Sequence, residues 1–148
     1  MRVILWLAVA AACALVCPAQ ENTGPALAEA VAPVYPDLAV LGRIAGSVIV
    51  AVHISKDGAV AGASIRDGDQ MLRQASLEAA RLWHFEPRSA ASDLELIFTY
   101  KLMPKGTPEA DLGTIFRAPY TVEVRRINPG PVRHYARAGK PARDRRSD

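Results

Sequence analysis

Cysteine is nearly absent from the 148 residues: Cys13 and Cys17 are the only two, and both lie near the N-terminus. A chain cut beyond them would have no disulfide, thiolate metal ligand or cysteine nucleophile, and would depend on packing alone. Aromatic residues make up only 6% and charged residues 22% of the chain, but 50% is apolar, which argues against collagen-like, fully disordered and multidomain classes. The longest apolar run, residues 3–17, has 15 positions, short of the about 20 that cross a bilayer as a helix. A glycine-rich phosphate loop is missing, and neither Ser64 nor Ser76 has the glycine-flanked elbow of a serine nucleophile. Asp57, Asp67 and Asp69 do not fall in a calcium-loop pattern. His53, His84 and His134 spread over a strand, a helix end and the tail, with no i, i+4 metal pair among them. The chain thus reads as non-enzymatic, with no cofactor and no metal site.

What is present divides into unlike pieces. Residues 1–19 are almost wholly apolar after Arg2 and end in Cys17-Pro18-Ala19. They read as a secretory signal peptide cut after Ala19; the alternative is an uncleaved membrane anchor. Residues 20–32 are polar and alanine-rich and read as a short leader. Residues 33–103 carry 7 basic and 8 acidic side chains, whereas residues 104–148 carry 10 and 5. The sequence pI of about 9.1 therefore describes the end of the chain and not its centre.

Within 33–103, residues 47–54 (SVIVAVHI) place Val48, Val50, Val52 and Ile54 on one face of a strand. Asp57-Gly58 signals a tight turn, and residues 59–66 return as a second strand with a bulge near Gly62. Asp67 or Asp69 caps a helix whose Leu72, Ala75, Ser76, Ala79, Ala80 and Trp83 share one face. Pro87 stops it. Residues 93–102 alternate strictly, Leu94, Leu96, Phe98, Tyr100 and Leu102 against Glu95, Ile97, Thr99 and Lys101. The plan is α+β: a small antiparallel sheet of about three strands packed by one main helix. Residues 104–148 form a proline-containing extension with a candidate extra strand at 120–127 (YTVEVRRI) and a basic tail.

These residues together resemble the TonB C-terminal domain family. The resemblance is carried by Tyr35-Pro36 with Ala39, by Gly46 before Val48 and Val50, and by Asp57-Gly58-Ala59-Val60. It continues through Leu72, Ala79-Ala80, Arg81, Trp83-His84-Phe85 with Pro87, and the closing Phe98-Thr99-Tyr100-Lys101-Leu102. The resemblance implies a periplasmic binding module that supports TonB-dependent transport. It would present a sheet edge to an extended peptide of an outer-membrane transporter, which adds as a strand. If the last strand of the domain is that edge, Glu95, Ile97, Thr99 and Lys101 frame the partner, with Tyr35 and Pro36 nearby. Coverage of the 93–102 edge by residues 120–127 would count against that placement. The alternative is a secreted, envelope-associated structural protein of the same fold with its edge blocked.

Two departures from the energy-coupling members bear on the role. The leader of 13 residues spans at most about 45 Å, and a cleaved signal would leave no anchor, so a stand-alone adaptor is the more economical reading. Residues 125–148 carry a net charge of +6, which suits anionic lipid or cell-wall polymer, or else serves as a solvated end that aids solubility. Nucleic acid is not an expected partner, and an unpaired edge leaves room for a strand-exchanged homodimer.

Overall fold

The computed structural model describes residues 24–130. Residues 1–19, read above as a signal peptide, lie outside the described residues, as do Cys13, Cys17, His134 and most of the basic tail. The chain order is β1 (Leu27–Glu29), α1 (Asp37–Leu41), β2 (Gly46–Ile54), β3 (Val60–Asp67), α2 (Gln70–Arg81), β4 (His84–Phe85), β5 (Ser92–Met103), a 3₁₀ turn (Glu109–Asp111), β6 (Gly113–Arg117) and β7 (Thr121–Ile127).

β2 is the spine. Its alternating valines are fully buried on one face, and it pairs antiparallel with β3 on one side and β5 on the other. The β2–β3 register shifts where Gly62 and Val60 oppose His53 and Ile54, so a bulge absorbs the phase change between Val60 and Ile65. Gly58 holds φ at +90°, and a Cβ there would overlap the Phe85 carbonyl. The Gly58 carbonyl accepts from Phe85 N at 2.8 Å, so the turn must lie close to β4.

α2 starts at Asp69, whose carboxylate accepts from Met71 N at 2.8 Å; this bond settles which aspartate is the cap. Leu72, Ser76, Ala79 and Ala80 are buried against the sheet. Trp83 and Phe85 follow, and Trp83 meets Phe98 edge-on with ring centres 6.0 Å apart. Small residues on α2 let the helix approach while the aromatics fill its open end.

The α+β plan holds, but the sheet differs from a three-stranded antiparallel one. It has five strands in the order β3-β2-β5-β7-β6. β7 lies parallel to β5 from Ile97↔Thr121 to Met103↔Ile127, and β6 pairs antiparallel with β7. The chain leaves β5, runs outward to β6, and returns into the gap between them, which makes the inserted β7 parallel to β5. Val122 and Val124 of β7 are buried with the core, so the hairpin belongs to the same hydrophobic unit.

Residues 20–32, read as a leader, include β1, which pairs with β4. Ala26 O accepts from Glu86 N at 2.9 Å, Val31 O from Trp83 Nε1 at 2.8 Å and Pro25 O from the Tyr120 hydroxyl at 2.7 Å. Among the described residues, no helix is long and apolar enough to cross a membrane.

Candidate functional site

β5 carries four of the six residues that the sequence offered for partner binding. Glu95, Ile97, Thr99 and Lys101 all project to the sheet face opposite α2, as their register with Ala51, Ile49 and Ser47 of β2 requires. Each polar member has a neighbour within the chain. Glu95 lies 4.0 Å from Arg66, the Thr99 and Ser47 hydroxyls are 3.0 Å apart, and Lys101 Nζ is 2.9 Å from Glu123.

The other two sit on the opposite side of the sheet. Tyr35 is 2% exposed, donates to Ile44 O at 2.6 Å, and packs edge-on against Tyr100 with ring centres 5.0 Å apart. Pro36 holds the N-cap position of α1 with an extended backbone. Tyr35-Pro36 and the outward residues of β5 are therefore not brought together. Alternation on β5 forces this, since Tyr100 faces inward when Thr99 and Lys101 face outward.

The far side of β5 is not free over residues 97–103. Ile97 N donates to Tyr120 O at 3.0 Å at one end of the β7 ladder, and Asn128 N donates to Met103 O at 2.8 Å beyond the other. The expected docking edge is thus filled by the chain's own strand over this stretch. Sequence periodicity marks a strand at 120–127 but does not say which neighbour it chooses.

Glu123 locks that strand in place. It projects to the open face, yet its side chain is only 6% exposed. Lys101 Nζ approaches Oε2 at 2.9 Å, Arg125 Nε approaches Oε1 at 2.5 Å, and Arg117 Nε lies 3.7 Å from Oε2. The hydrogen bond from Lys101, seconded by Arg125, holds its carboxyl below the usual carboxylate range against the opposing effect of burial. Sequence reading missed Glu123 because its partners come from β5, β6 and β7.

The sheet ends at β3 and β6. β3 is register-shifted at two places against β2, which twists an edge away from pairing. β6 pairs with β7 in unbroken register, and no strand among the described residues pairs with its outer side. Its neighbourhood is apolar: Phe116 is 50% and Leu27 38% exposed, and an open cavity of about 300 Å³ lies between Leu27, Trp83, Phe116 and Pro119. No group of histidine, cysteine, aspartate and glutamate able to hold a metal ion occurs among the described residues.

Such a domain, with one sheet face covered by a helix, one face open and a regular unpaired edge, belongs to the class of small α+β domains. A family model described as the Gram-negative bacterial TonB protein C-terminal matches residues 31–102. That segment of the chain belongs to the TonB C-terminal domain family. The solution NMR structure of the Pseudomonas aeruginosa TonB C-terminal domain is similar at 25% identity, covering 56% of this chain and 91% of that one, with a TM-score of 0.47. No curated protein matches the chain.

Proposed function

We propose that the protein is a periplasmic interaction module that takes an extended segment of an outer-membrane transporter by strand addition, in support of TonB-dependent transport. Membership of residues 31–102 in the TonB C-terminal family supports this reading. The observation that carries it is the regular, unpaired edge at β6, because main-chain pairing needs a strand with its outer groups free. Docking along β5 at Ile97, Thr99 and Lys101 requires the β6–β7 hairpin to leave first.

A second reading is favoured by the depth at which β7 sits. Val122 is fully buried and Glu123 is 5% exposed, so detaching the hairpin would expose part of the core and a carboxylate held by three cations. The protein is then an envelope-associated structural component whose original edge is blocked.

Calorimetric titration with peptides from transporter N-termini separates these readings when run on the native chain and on a disulfide-locked I97C/T121C variant. Binding by both chains supports strand addition away from β5. Binding by the native chain alone assigns docking to β5 after hairpin displacement. Binding by neither overturns the strand-addition reading and leaves the blocked-edge protein.

A further inference from the structure

Natural sheets protect their edges with proline, bulges, inward charges or a covering element. β6 is GTIFR, with no proline, an unbroken register against β7 and no charge before Arg117. An edge of that kind invites a partner. Its two faces differ in chemistry. On the core side, Thr114 and Phe116 oppose the buried Val124 and Val122, and the 300 Å³ apolar cavity opens beside Phe116. On the open side stands Arg117, its side chain 56% exposed. Glu123 is already held more closely by Lys101 at 2.9 Å and Arg125 at 2.5 Å. Three cations share one carboxylate, so Arg117 retains positive charge for an incoming group.

We propose that β6 is the docking edge for an extended peptide that places a bulky apolar side chain in the cavity beside Phe116 and, at the adjacent residue, a carboxylate against Arg117. The two partner residues must be neighbours because Phe116 and Arg117 point to opposite faces. The inference rests on the strand-addition reading above and adds to it the place and the chemistry of the segment.

The probe is a fluorescein-labelled octapeptide with a central leucine-glutamate pair flanked by threonine and valine, titrated into the full chain at low salt and followed by anisotropy. Arg117→Glu is expected to weaken binding about tenfold or more, as loss and reversal of a charge pair does. A leucine-lysine version of the peptide is expected to recover binding to that variant. A benzophenone side chain in place of the exposed Thr114 is expected to crosslink to the peptide, whereas one in place of Ile97 is not. Circular dichroism establishes that each variant keeps its fold.

Unchanged affinity in R117E, or no recovery with the lysine peptide, overturns the proposal. So does a β6-mediated dimer, seen as concentration-dependent sedimentation that the peptide does not reverse. If transporter peptides bind but crosslink only at position 97, this docking edge is wrong while strand addition stands. If no extended peptide binds, both fall.

Discussion

Ser76 has one hydroxyl proton, and the Leu72 carbonyl accepts it at 2.9 Å. The Tyr100 hydroxyl, 2.8 Å from Ser76 Oγ, is therefore the donor in the second bond. The two single deletions are then unequal. Tyr100→Phe removes a donor and leaves Ser76 bonded to Leu72, at a cost of about 1 kcal/mol. Ser76→Ala strands the buried tyrosine hydroxyl, at a cost of about 1–3 kcal/mol. Urea unfolding at pH 7 is expected to rank S76A as the less stable. Burial pushes the Tyr100 hydroxyl up to about 12, so its neutral form is favoured by folding. Stability falls as pH rises from the ordinary value of 10.0 towards that number, and Y100F lacks this alkaline loss. Glu123 has the opposite sign. Its carboxyl is held below the ordinary value of 4.5, so its contribution is complete above that pH and is lost as pH falls through the folded value. Glu123→Gln is expected to be less stable than the native chain at pH 7 and to show a shallower acid decline. An equal acid slope in both chains would rule out this role for Glu123.

At the scale of elements, what the sequence made legible follows one rule: local periodicity and turn chemistry were enough wherever neighbours in sequence are neighbours in space. β2, the Asp57-Gly58 turn, the bulged return near Gly62 and α2 could be read from spacing alone, because hairpin geometry and helix capping act within a few residues. The choice between Asp67 and Asp69 could not be read, since both spacings suit a cap and only the bond to Met71 N decides. Asp69→Ala is expected to cost about 1 kcal/mol, and Asp67→Ala much less, by thermal unfolding. β7 could be read only as a candidate strand, and not as the partner of β5, which lies beyond an intervening turn and β6. In hydrogen exchange, the β5 amides that bond towards β7 are expected to be as protected as those that bond towards β2. Rapid exchange on the β7 side alone would mean that the hairpin opens on its own.

Considered as a whole, the molecule is a sheet clasped from both ends of the described chain. Residues 25–31 contribute three hydrogen bonds, from Glu86 N, Trp83 Nε1 and the Tyr120 hydroxyl, and the last of these ties the N-terminal strap to the β6–β7 hairpin. A chain starting at residue 33 loses all three. At about 1 kcal/mol each, with β1 also gone, its unfolding midpoint is expected to fall by several degrees in calorimetry. An unchanged midpoint would show that the strap is incidental. By itself the sequence determined the α+β class, the helix-covered face and the family resemblance, because alternation, 3.6-residue spacing and glycine turns are local properties of the chain. Only the tertiary structure decided which edge stays open. Strand pairing between β5 and β7, the burial of Glu123 among cations from three strands, and the exposure of Phe116 all depend on contacts between distant residues. Those contacts move the open edge from β5 to β6.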